Sequence, residues 1–127
     1  MNKKILIIED DTLLSTTLIE AFKNASFEVF SAKDGELGIE EAKKNEPHAI
    51  VLDLLMPKVN GLSVLENIRK DMGEWGKSVP VFILTNYDPQ DDPTMKSVLT
   101  NEPIVYLEKS SWQLDDIVNR VNQTLGN

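Results

Sequence analysis

Apolar positions follow two rhythms along this chain. Four short runs are almost wholly apolar: Ile5-Leu6-Ile7-Ile8, Ala49-Ile50-Val51-Leu52, Val81-Phe82-Ile83-Leu84 and Ile104-Val105-Tyr106-Leu107. Runs of this length, rich in β-branched residues, suit strands buried on both faces of a parallel sheet. A fifth stretch, Phe27 to Ser31, mixes polar and apolar positions and reads as an edge strand. Between the runs the spacing lengthens to that of a helix. Leu14, Leu18, Ala21 and Phe22 make one stripe, and Gly35, Gly38, Ile39 and Ala42 a second. Val64, Leu65, Ile68 and Met72 make a third, and Leu114, Ile117, Val118, Val121 and Leu125 the last. Three prolines interrupt Asp88 to Pro103, so a helix there is short, over about Thr94 to Leu99. Ser110 and Gln113 have the spacing of a capping box for the last helix.

Strand and helix alternate five times with short connections, which predicts an α/β, doubly wound fold with right-handed crossovers and helices on both sheet faces. A ligand site is then expected beyond the carboxyl ends of the strands, where strand order reverses. At 127 residues, with no repeat or linker, the expectation is one domain over residues 1–127. The absence of cysteine excludes disulfides and thiolate zinc sites. A formal charge of −8 disfavours unaided binding to nucleic acid or to an anionic membrane. The basic start leads into an apolar run of only four residues, with no small-residue cleavage site after it, and the expected location is the cytoplasm.

Chemistry gathers at the strand ends. The first run is followed by Glu9, Asp10 and Asp11, the second by Asp53, the third by Thr85, and the last leads into Lys109. Carboxylates crowded together repel, and a divalent cation relieves that repulsion. Oxygen donors with no nearby histidine or cysteine select Mg²⁺. A threonine hydroxyl and a lysine ammonium are suitable donors to phosphoryl oxygens. Metal, carboxylate nucleophile, hydroxyl and lysine together make a phosphoryl-transfer site.

These residues lie in "ILIIEDD", "IVLDLLMPKVNG", "VFILTN" and "VYLEK", in that order, and over its whole length the chain resembles bacterial response-regulator receiver domains. The resemblance implies a flavodoxin-like sheet of five parallel strands in the order 2-1-3-4-5, with five helices. It implies that Asp53 accepts a phosphoryl group from a histidine kinase or a histidine phosphotransfer protein. Asp10, Asp53 and the backbone carbonyl of Leu55 would then ligate Mg²⁺, with Glu9 acting through water. Asp11 would be a direct ligand only if the acidic pair were displaced by one residue; otherwise it favours the N-terminus of the first helix. Thr85 matches the phosphate-binding hydroxyl, Lys109 the motif lysine, Tyr106 the switch aromatic that moves with Thr85, and Pro57 and Gly61 the turn after the phosphorylated strand. A receiver turns over only its own phosphoryl group and is not counted an enzyme. It would signal to a downstream protein through the fourth helix, fifth strand and fifth helix. Two departures fall on that surface: Ser110-Ser111-Trp112 stands where many receivers place a proline after the lysine, and "TNEPIVYL" replaces the usual small-residue turn.

Other motifs carry less. Gly76-Lys77-Ser78 echoes a phosphate-binding loop, but Asp71 stands where that loop requires its first glycine, and a strand follows rather than precedes it. A phosphohydrolase of the haloacid-dehalogenase type needs a second acid two residues after its nucleophile, where this chain has Leu55. A pseudo-receiver that only docks partners would have lost part of the site, yet every position is filled. Asp88, Asp91 and Asp92 read as a solvated loop, and His48 as a solvated side chain with no assigned role. The end at Gly126-Asn127 suits either a single-domain regulator or the receiver part of a longer one.

Overall fold

The computed structural model describes residues 2–54, 60–85, 104–108 and 113–126. In chain order these form β1 (Lys4–Ile8), α1 (Thr12–Asn24), β2 (Glu28–Ala32), α2 (Gly35–Asn45), β3 (Ala49–Leu52), α3 (Gly61–Asp71), α4 (Gly73–Ser78), β4 (Val81–Thr85), β5 (Ile104–Glu108) and α5 (Leu114–Leu125). The strands pair in parallel in the order β2-β1-β3-β4-β5. Strand order therefore reverses between β1 and β3, and in doubly wound sheets the carboxyl ends of the strands at such a reversal are where ligands bind.

Residue alternation along the strands feeds two cores. Leu6, Ile8, Ile50, Leu52, Val81 and Ile83 pack on one face against Val64, Leu65 and Ile68 of α3 and Ala42 of α2. Ile5, Ile7, Ala49, Val51, Phe82 and Leu84 pack on the other against Leu18 and Phe22 of α1 and Ile117, Val118 and Val121 of α5. Burial on both faces is why the central strands are apolar at every position. β2 has a single buried residue, Ala32, as an edge strand should. Each large aliphatic or aromatic side chain so buried contributes roughly 1.5–3 kcal/mol. Phe22 adds an edge-to-face contact with Phe27, their ring centroids 5.2 Å apart.

One local expectation needs correction. The last helix does not use Ser110 and Gln113 as a capping box, because Gln113 is itself the N-cap and makes no side-chain cap bond. Its carbonyl accepts from the amides of Asp116 and Ile117, and Asp115 and Asp116 place negative charge in the first turn, where the helix dipole favours it. A helix that the spacing did not predict is α4, which carries the Gly76-Lys77-Ser78 triplet and so agrees with the rejection of a phosphate loop there. Tertiary contacts hold it. The Arg69 guanidinium on α3 donates through one nitrogen to the carbonyls of Gly76 and Val79, both at 2.8 Å, and burial lowers its pKa from the ordinary value. Trp75 Nε1 donates to the Pro47 carbonyl at 2.9 Å, tying α4 to the α2–β3 turn. The helix expected over about residues 94–99 lies outside the described residues. Among the described residues, no helix is long and apolar enough to cross a membrane.

Candidate functional site

The two central strands deliver the acids. Beyond β1 the Glu9 amide donates to the Ala32 carbonyl at 3.1 Å, and beyond β3 the Asp53 amide donates to the Ile8 carbonyl at 3.0 Å. Each residue is thereby one more rung on the ladder, and its side chain inherits the strand's fixed direction. Both are buried, Glu9 at 3% exposure and Asp53 at 4%, and they are the buried charged residues of the described chain. Asp10, past the ladder, is exposed. One carboxylate oxygen from each of Glu9, Asp10 and Asp53 lies within 4.8 Å of the others. An oxygen-only set of three acids, two of them held by backbone rungs, fits a hard divalent cation.

Asp11 takes another place. It is the N-cap of α1, its Oδ1 accepting from the Leu14 amide at 3.1 Å, while its own amide donates to Glu9 Oε2 at 3.4 Å. The cap engages one oxygen of the Asp11 carboxylate, which lies outside the acid cluster, and the amide contact steadies Glu9.

The floor behind Asp53 is set by the start of α3. The Gly61 amide donates to the Leu54 carbonyl at 3.0 Å, and Asn60 caps the helix by accepting from the Ser63 amide at 2.9 Å. The sequence reading missed Asn60, although Asn-Gly before an apolar stripe is a helix-start signal.

Thr85 ends β4, which pairs with β3 through Leu52↔Ile83, and Glu108 at the end of β5 lies level with Thr85. The backbone thus brings the Thr85 position to the same sheet edge as Asp53. Tyr106 occupies the register position beside Ile83. Leu55, Pro57, Tyr87, Lys109, Ser110 and the Asp88–Asp92 segment lie outside the described residues.

The profile of the response regulator receiver domain matches residues 5–122. The transcriptional regulatory protein CrdR of Helicobacter pylori is 31% identical over 123 residues, covering 97% of this chain and 55% of that protein. The alkaline phosphatase synthesis transcriptional regulatory protein PhoP of Bacillus subtilis is 32% identical over 95 residues, covering 75% of this chain and 38% of that protein. The chain therefore spans between about a third and about half of these relatives' lengths. In fold it matches the receiver domain of the sensor histidine kinase PA1611 of Pseudomonas aeruginosa, with a TM-score of 0.82 and 22% identity over the full length of both. That structure holds a magnesium ion in its active site cleft. With a family profile over nearly its whole length and an acid cluster at the strand-order reversal, this chain belongs to the response regulator receiver domain family.

Proposed function

We propose that the whole chain, residues 1–127, acts as one phosphoacceptor unit in a two-component phosphorelay, with Asp53 as the acceptor. The observation that carries this reading is the approach of the Glu9, Asp10 and Asp53 carboxylates to within 4.8 Å at the switch point of the sheet. A carboxylate oxygen of Asp53 attacks the phosphorus of a phosphohistidine on a histidine kinase or phosphotransfer protein. The bond from phosphorus to the histidine nitrogen breaks, and that nitrogen keeps the electron pair. The Asp53 amide rung fixes the direction of attack, and burial of the side chain limits competing water.

Asp10, Asp53 and the Leu55 carbonyl would hold Mg²⁺ directly, and Glu9 through water, in keeping with the donor set here and with the ion in the PA1611 cleft. When bound, Mg²⁺ supplies positive charge against the phosphoryl oxygens. The hydroxyl of Thr85 and the ammonium of Lys109 donate to the same oxygens. Thr85 moving toward the phosphoryl group, with Tyr106 turning behind it, is the switch that a downstream protein reads across the segment expected as the fourth helix, β5 and α5. With a charge of −8 the domain itself is not the part that meets nucleic acid, although the curated relatives are transcriptional regulators. Receiver domains are generally not classical enzymes, and this one turns over only its own phosphoryl group, in the cytoplasm.

Intact-mass measurement after incubation with acetyl phosphate and Mg²⁺ tests the reading. One phosphoryl adduct is expected, abolished in Asp53→Asn and by removing the metal. An adduct that persists in Asp53→Asn overturns it.

A further inference from the structure

His48 is the chain's single histidine, placed between Pro47 and the start of β3. Its side chain is exposed, as expected, but it is not idle. The His48 amide donates to the Lys4 carbonyl at 2.9 Å, and His48 Nδ1 accepts from the Lys4 amide, also at 2.9 Å. These two bonds close a ring one step outside the Ile5↔Ala49 pair, lengthening the β1–β3 ladder at its N-terminal end. An Nδ1 that accepts requires a neutral imidazole with its proton on Nε2. The same corner is braced on its other side. Glu46, in left-handed conformation at φ 42°, donates its amide to Ala42, and Trp75 bonds the Pro47 carbonyl.

We propose that His48 is a proton-operated clasp: its neutral ring ties the N-terminal end of β1 to β3, and a second ring proton turns Nδ1 from acceptor into donor and opens it. The charged groups around the ring are Lys3, just before β1, Lys4 of β1, Glu28 of β2, which lines the same cavity, and Glu46 in the α2–β3 turn. Partial burial, then the charges of Lys3 and Lys4, lower the histidine pKa from its ordinary 6.5. The folded chain therefore binds fewer protons than the unfolded chain just below pH 6.5. The clasp's contribution to stability is full above that pH and is lost as pH falls through the folded value. The clasp sits at the opposite end of the strands from Asp53, so it stands or falls independently of the phosphoryl chemistry.

A single histidine makes the test direct. Nitrogen and proton NMR on the whole chain should show the ring titrating below 6.5, its neutral form carrying the proton on Nε2. Exchange protection of the Lys4 amide should fall through the same pH interval. His48→Asn, which offers an oxygen acceptor that does not titrate, should keep Lys4 protected across the range, and His48→Leu should leave it unprotected throughout. A ring pKa at or above 6.5, a proton on Nδ1, or the same pH-dependent loss at Lys4 in His48→Asn would overturn the proposal.

Discussion

Gly61 lies directly against the backbone of Asp53. A Cβ built on it would stand 2.6 Å from the Leu54 Cα and 3.0 Å from the Asp53 carbonyl carbon, and closer still to the Asp53 carbonyl oxygen. The neighbours are backbone atoms of a strand end, so neither partner can yield by changing a rotamer. Glycine is required here for close approach, since its φ is not among the positive values.

Gly61→Ala should therefore push α3 away from the end of β3. The expected cost is about 1–3 kcal/mol of stability, typical of overpacking a tight contact. Because the same backbone carries Asp53, Mg²⁺ affinity should fall too. Chemical denaturation and a Mg²⁺ titration read the two effects, and an alanine variant with unchanged values in both would show that the contact relaxes freely.

Asp10 and Asp11 should separate cleanly by mutation. Asp10→Asn removes a carboxylate of the acid cluster and should weaken Mg²⁺ binding strongly, with stability little changed. Asp11→Asn preserves the α1 cap, since asparagine caps about as well as aspartate, and should leave Mg²⁺ binding near the parent value. Asp11→Ala should cost about 1 kcal/mol of stability through the lost bond to the Leu14 amide. Greater loss of Mg²⁺ affinity in Asp11→Asn than in Asp10→Asn would reverse the assignment.

Replacing Arg69 with methionine keeps most of the apolar stem but removes the donor to Gly76 and Val79. Hydrogen bonds from a charged donor are worth about 1.5–3 kcal/mol, and a loss of that order is expected in thermal unfolding. Exchange protection should fall first around α4, which the Trp75–Pro47 bond and the packing of Trp75 on the core would still hold in part. Uniform destabilisation with α4 protected as before would argue against this local role.

Ser26 sits at φ 71° in the turn between α1 and β2. A left-handed conformation costs an L-residue roughly 1–2 kcal/mol. Part of that is returned when glycine takes the place, the remainder being offset by glycine's greater freedom in the unfolded chain. Ser26→Gly should thus raise the melting temperature, whereas Ser26→Val, branched at Cβ, should lower it. The opposite order would mean that the serine side chain supplies a compensating bond.

Leu55 and Tyr87 govern a fifth expectation, drawn from the receiver resemblance because both lie outside the described residues. In receivers the positions two after the phosphoacceptor and two after the threonine border the path of the hydrolytic water. Neither side chain here carries a carboxylate or amide that could orient the water, and both are bulky enough to obstruct it, so the phosphoaspartate should decay slowly. Each 1.36 kcal/mol of barrier is about tenfold in rate. Leu55→Asn combined with Tyr87→Glu should accelerate decay at constant Mg²⁺, and an unchanged lifetime with the fold intact would remove these side chains from the account.

The layered α/β fold was legible in the chain because burial on both sheet faces writes itself into consecutive positions. Ile5 to Ile8 and Val81 to Leu84 need no partner to be recognised, and the helical stripes from Leu14 to Phe22 and Leu114 to Leu125 are equally local. Glu9, Asp10 and Asp53 were legible for the same reason, as acids immediately after such runs. Their closeness was expected from the predicted fold and the strand order that the receiver resemblance implies, not from periodicity. It rests on β1 and β3 being neighbours and on the Asp53–Ile8 rung that sets their level. Asp11 was expected at the α1 N-terminus and is its N-cap, whereas the expected Ser110–Gln113 box gave way because α5 starts at Leu114 with Gln113 as its N-cap. Only the tertiary structure could give α4 its support from Arg69 and Trp75, press Gly61 against Asp53, or make His48 an acceptor for Lys4. Each of these joins residues distant in the chain, and periodicity records which side of an element is buried, never what it is buried against.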